Sequence, residues 1–241
     1  MTLTNQVSDR PAKRGPGRPQ ALAGDAIAEA VLATGFTGLT FAAVAGRLGV
    51  GQATLYRHAA NRDELVRLGL DLALRRTKWP DLDGSWRPLL ERWALASWHA
   101  WEAHPGAVLE ATRGVIPASM IQLSDRVGVA LVNRGFTPRN AVLAVDLVFD
   151  LVADSRRGVE TLAGALEAEF LPVRQTMERH WSAHRDSTHG DSDHLGVDEV
   201  TAQLRDEMVR AIREEPVVWF RGKLRIVLTG IEQELAPGAR P

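Results

Sequence analysis

Residues 39–65, LTFAAVAGRLGVGQATLYRHAANRDEL, decide how the chain is read. Thr40 offers a capping oxygen ahead of Phe41, Val44, Ala45 and Leu48, which recur at i, i+3, i+4 and i+7. That spacing predicts a short helix with one apolar face. Gly49 ends it, and a second short helix is expected from about Gly51 to His58. Asn61 then opens a longer helix, with Glu64 three residues on and Leu65, Leu68 and Leu72 on one side. Two short helices joined by Gly49-Val50-Gly51 cross steeply over Leu48, Val50 and Leu55, which is the plan of a helix-turn-helix. Gln52, Ala53, Thr54, Tyr56 and His58 are left on the outside of the second helix. Its first turn is short-chained, so backbone can approach base edges, where Gln pairs with adenine and Thr meets a thymine methyl or a polar edge. Tyr56, Arg57, His58 and Arg62 suit phosphate oxygens, and Thr40 does likewise at a helix N-terminus. The partner expected for this segment is double-stranded DNA.

Working outward, Ala21–Thr34 reads as a preceding helix with Ile27, Ala30 and Val31 inward and Gly35 as its stop. Helical periodicity continues downstream through Ser85–Ala103, about Pro105–Thr112, Ala118–Asn133, Pro138 into the 160s, Gly164–Trp181, a helix from Val197, and Pro216–Leu235. No stretch alternates with period two, so the fold class is all-α. Trp79-Pro80-Asp81-Leu82-Asp83-Gly84 is rich in breakers and marks a boundary. Three parts follow: an arm at 1–19, a DNA-binding head with its connecting helix at 20–78, and a larger effector-binding and dimerisation body at 79–241.

Composition narrows the function. Residues 1–78 hold eleven Lys/Arg against six Asp/Glu, a net of +5, while the remainder nets −6. A basic head on an acidic body expects the polyanion at the head alone. With no cysteine, thiol catalysis, thiolate metal sites and disulfides are excluded. No apolar run reaches the ~18 residues that cross a bilayer, and the first twenty residues carry no apolar signal core. The expectation is a cytoplasmic protein with no membrane partner. No Ser/His/Asp order, phosphate-cradling glycine loop or supported carboxylate pair speaks for an enzyme. No cofactor is expected.

The quoted stretch resembles the DNA-binding domain of TetR-family regulators, through Leu39-Thr40, Val44-Ala45, Leu48-Gly49-Val50, Thr54-Leu55-Tyr56, His58 and Asn61 with basic Arg62. The resemblance is nearest to the tetracycline-repressor subgroup. It implies a homodimer on a pseudo-palindromic operator, two helices per subunit forming a four-helix interface, and release by a small-molecule effector. Gly17-Arg18-Pro19 recurs at this place in the subgroup, so Arg14 and Arg18 either follow a minor groove or belong to a solubilising leader. Activation instead of repression, control by a partner instead of a ligand, or a helical small-molecule-binding protein without DNA affinity, are the alternatives.

In the body, Phe220, Leu224, Val227, Leu228, Ile231 and Leu235 form one apolar stripe with Gly222 and Gly230 nearby. The helix around residues 141–153 is apolar over more than one face, so one of its sides is free for another subunit. The expected dimer residues are Val145, Val148, Val152, Leu224, Val227, Leu228 and Ile231. Trp86, Leu90, Trp93, Ser97 and Trp101 share a stripe beside Trp98, either as walls for a flat apolar ligand or as ordinary packing. The resemblance places Trp93, Thr112 and Arg113 at the effector, and Trp98 and Phe149 are candidates beside them. Leu109 stands where the tetracycline repressor has a magnesium-ligating histidine, which speaks against a tetracycline–magnesium effector. Asp146, Asp150 and Asp154 form an acidic i, i+4, i+8 row, either a solvated face eased by Arg156 and Arg157 or a seat for a cation. His180, His184, His189 and His194, with Asp186, Asp191 and Asp193, make a polar stretch that is either hydrated loop or metal site. No metal is assigned.

Overall fold

The computed structural model describes residues 24–163, 173–186 and 195–238. Arg14 and Arg18 of the expected arm lie outside them, as do the side chains of residues 184–198. Among the described residues there are eleven helices and no strand. The head is α1 (Gly24–Thr34), α2 (Phe41–Leu48), α3 (Gln52–Tyr56) and α4 (Arg62–Arg76). The body is α5 (Trp86–Glu102), α6 (Ala107–Thr112), α7 (Ala118–Val132), α8 (Pro138–Leu162), α9 (Val173–Asp186), α10 (Leu195–Arg213) and α11 (Pro216–Glu234). The polar stretch expected as loop from Ser182 is helical as far as Asp186. No helix among the described residues is long and apolar enough to cross a membrane.

The local signals act as their chemistry dictates. Thr40 accepts from the Ala43 N–H at 3.1 Å, and Asn61 from the Glu64 N–H at 2.9 Å, each capping an orphan donor. Glu64 does not complete a capping box; its carboxylate binds Arg67 instead. Gly49 ends α2 at φ +66°, in the left-handed region that a side chain resists. Helix α1 lies so close to α4 that a Cβ on Gly69 would sit 2.4 Å from Val31 Cγ1. Only glycine admits that approach.

One apolar core runs from Val31, Leu55 and Leu65 in the head to Trp98, Val148 and Phe220 in the body. The breaker-rich 79–84 joint is pinned rather than loose. Trp79 Nε1 donates to Leu74 O at 2.9 Å, and Arg134 clasps Leu82 O and Gly84 O at 2.5 and 2.8 Å.

The expected dimer stripe is a correction. Val145, Val148, Val152, Leu224, Leu228 and Ile231 are buried within the single subunit, and Val227 is half-buried. Helices α8 and α11 are neighbours, and the six buried residues belong to the subunit's own core, with Val227 packed against it. The uncovered apolar side lies opposite: Val142, Leu143 and Leu147 on α8, Trp219 and Ile226 on α11, with Ile226 70% exposed.

Candidate DNA-binding head and its ties to the body

Helix α3 has five residues, too few to be stable alone. Leu55, wholly buried, fixes it to the head. With Leu55 inward, Gln52, Ala53, Tyr56, Arg57 and His58 are exposed, and Thr54 is half-buried. Tyr56 stacks on Phe41 of α2, ring centroids 4.1 Å apart and 9° from parallel, which holds its hydroxyl outward. Arg57 folds back on its own helix, Nη2 3.3 Å from Thr54 Oγ1. The α3 residues named from sequence therefore share one uncovered surface, and exposed Thr40 caps the neighbouring helix.

Arg62 is different. Its guanidinium grips both oxygens of Glu110, at 2.6 and 3.0 Å, and donates to Leu39 O at 3.2 Å. Glu110 is nearly buried on α6, so this fork ties the start of α4 to the body. A phosphate contact would have to compete with that carboxylate. A second tie lies further along α4, where Asp71 accepts from the Ser119 N–H of α7 at 3.1 Å.

A third tie is buried. Arg156, on α8, is 6% exposed at its side chain and lies 4.9 Å over the Trp98 ring. It pairs with Glu102 at 3.2 Å and with Glu160 at 3.8 Å. The row of aspartates is exposed as a solvated face requires, but Arg156 is not part of that face. Glu160 accepts from the Gly106 N–H at 2.9 Å. Gly106 sits directly against the head: a Cβ there would lie 3.0–3.2 Å from Thr37 and Phe36, at φ +85°.

Burial raises the Glu160 carboxyl above its ordinary value, and the Gly106 N–H and Arg156 only partly oppose this. An acid raised in the folded state binds protons more tightly there than when unfolded, so its contribution to stability falls as pH rises through the raised value. In urea unfolding, the stability of Glu160→Gln relative to the parent should rise between pH 4.5 and pH 7.5, on top of the cost of the lost Arg156 pairing. A relative stability that falls over that range would reverse the assignment.

The expected effector residues fall apart in space. Trp93 and Phe149 close, with Trp101 and Ser97, around a void of about 10 Å³ that has no room for a ligand. Thr112 and Arg113 border a cleft of about 520 Å³ between α6 and the head, beside Arg62 and Arg157. Trp98 alone borders a cavity of about 430 Å³, at the corner of α5, α8, α10 and α11. The stripe on α5 was visible in sequence; that its faces serve different spaces was not. His180 is already engaged in an interaction, and no group of three metal-ligating side chains is gathered among the described residues.

Comparison with known proteins gives this geometry its context. Residues 25–68 match the family model for bacterial regulatory proteins of the tetR family. The chain is 30% identical over 177 residues to the HTH-type transcriptional repressor DrrR1 of Streptomyces coeruleorubidus, covering 68% of this chain and 65% of that protein. The matched part is thus slightly under two thirds of the relative's length. ActR of Streptomyces coelicolor, solved in complex with actinorhodin, superposes with TM-score 0.73 over 90% of this chain and 99% of its own, at 19% identity. A TetR variant from Acinetobacter baumannii, solved with minocycline, gives TM-score 0.63 at 20% identity over 90% and 94%. These two show the shared fold. Residues 25–68 thus carry the sequence of the tetR family of bacterial regulatory proteins, and the whole chain shares the fold of ActR and TetR.

Proposed function

We propose that the chain is a ligand-responsive transcriptional repressor that binds a pseudo-palindromic DNA operator as a homodimer and is released by a flat or apolar small molecule. The observation that carries this is the surface of α3. Gln52, Ala53, Tyr56, Arg57 and His58 stand exposed on a helix whose only inward anchor is Leu55. Gln52, Ala53 and Thr54 read base edges; Thr40, Tyr56, Arg57 and His58 hold phosphates. Arg14 and Arg18 in the 1–19 arm add minor-groove contacts, residues 20–78 form the head, and 79–241 form the body. Repression is favoured by the kinship to a named repressor. An effector is favoured by the ligands present in the ActR and TetR structures.

The dimer uses the outer sides of α8 and α11. Leu143 and Leu147 flank one edge, Trp219 and Ile226 the other, and Gly222 and Gly230 let backbones approach. Two heads then enter successive major grooves, about 34–36 Å apart along the duplex. An effector acts by favouring a head spacing that misses the grooves, and only through its differential affinity for the two states. A protein that acts on chromosomal DNA works in the cytoplasm.

Selection of bound duplexes from random DNA tests this reading. An enriched inverted repeat is expected. Tyr56→Ala should weaken binding to that repeat and to random DNA alike. Gln52→Ala should cost about 1–3 kcal/mol at one base position and little elsewhere. Absence of any enriched duplex at low salt refutes the proposal.

A further inference from the structure

An α-helix turns by about 100° per residue, so on α3 Ala53 and Arg57 each stand about 160° from buried Leu55, and Thr54 and Tyr56 about 100°. Arg57 closes the helix in the right-handed conformation, which carries the spacing through to it. The line facing directly away from the head is therefore Ala53 and Arg57, both exposed. Tyr56 is held to one flank by its stack on Phe41, and half-buried Thr54 lies on the other. A helix laid in the major groove presents its outermost line to the base edges and its flanks to the phosphate strands. Arg57 is also the one Lys, Arg, Asp or Glu between Arg47 and Arg62. Its one side-chain hydrogen bond among the described residues, from Nη2 to Thr54 Oγ1 at 3.3 Å, draws the guanidinium back along α3. Ala53, four residues earlier on the same line, is short enough to leave that route open.

We infer that Arg57 is a base-reading residue, and that its partner is a guanine in the major groove of each operator half. The inference rests on the operator-binding reading above and moves one residue of it from the phosphates to the bases. Side-chain chemistry alone groups Arg57 with the phosphate contacts; its position on α3 separates it from them. A guanidinium forks two N–H groups onto guanine O6 and N7, whereas adenine presents a donor where guanine presents O6. The bond to Thr54 occupies one of the five N–H groups and leaves a pair for that fork. Tyr56, on the flank, keeps its phosphate.

The test uses the full chain in two arms. Selection from random DNA gives the preferred duplex of the parent, of Arg57→Ala and of Arg57→Gln, which keeps a long polar side chain. The parent's repeat should carry a guanine at one matched position of each half. Both substitutions should erase that preference while the other positions keep theirs. Fluorescence anisotropy then measures the parent and Arg57→Ala on the parent's duplex, with guanine or 7-deazaguanine at the matched positions. The analogue keeps O6 and lacks the N7 acceptor. It should weaken the parent tenfold or more and Arg57→Ala less than twofold, because only the arginine uses that atom. This arm leaves the protein unaltered, so misfolding cannot produce the loss. A motif that Arg57→Ala leaves unchanged, with binding uniformly weaker, assigns Arg57 to a phosphate and overturns the inference while operator binding stands. Parent affinity unmoved by 7-deazaguanine overturns it as well. A parent that enriches no duplex sinks the operator reading and the inference with it.

Discussion

Arg156→Ala should destabilise the folded chain by about 3–5 kcal/mol, the usual consequence of removing one partner from a buried ion pair. Glu160 is the reason. Its side chain is only 5% exposed, and Arg156 is the cation paired with it. Without that cation the carboxylate keeps the Gly106 N–H but must either stay charged in an apolar surrounding or take up a proton. Trp98 loses the guanidinium over its ring at the same time, and Glu102 loses an ion-pair partner. Urea unfolding followed by far-UV circular dichroism measures the effect. The double variant Arg156→Met with Glu160→Leu removes both charges and should recover most of the loss, because apolar replacement of a whole buried pair is often neutral or better. A loss under about 1 kcal/mol in Arg156→Ala, or no recovery in the double variant, would show that the pair is not the source of the stability.

Leu55→Ala should cost about 2–5 kcal/mol and abolish operator binding, although no DNA-facing side chain changes. Helix α3 owes its existence to this one anchor, since five residues cannot repay the cost of nucleating a helix. Truncating a fully buried leucine leaves a space that the rigid α1–α4 packing, with Gly69 already pressed against Val31, cannot close. The loss should be local. Hydrogen exchange should quicken in α2 and α3 while amides of α5 and α8 keep their protection. Uniform quickening in head and body would mean that the shared core unfolds as one unit.

Features whose causes lie within a few residues were legible in the sequence. Thr40, Gly49 and Asn61 mark helix ends because capping is a local event, and all three act as expected. Leu55 inward and Tyr56 outward follow from helical period alone. The two faces of α8 and α11 were a different problem. A helix apolar on both sides states that two surfaces are covered, but periodicity does not say which one belongs to the chain itself. Val148 and Leu224 went to the partner in the sequence reading, and the subunit claims them. Arg62 met the same limit, because its counter-ion lies 48 residues away on α6. Arg156 and Glu160 stand four apart and invite pairing, yet nothing in one sequence announces that both are buried. The effector residues scattered for a related reason: an open volume is set by how several helices sum, not by the residues of any one stripe.

Closure of Glu110 around Arg62 has an ionic consequence at the duplex. Each protein cation that neutralises a phosphate releases condensed counterions, steepening the fall of log affinity with log salt by about 0.9. An arginine already neutralised from within the protein displaces none. The ionic-strength response of DNA binding should therefore be shallower than the arginines of the head suggest. A state in which Glu110 lets go would gain one such cation, so two conformations of the same head would carry different salt signatures.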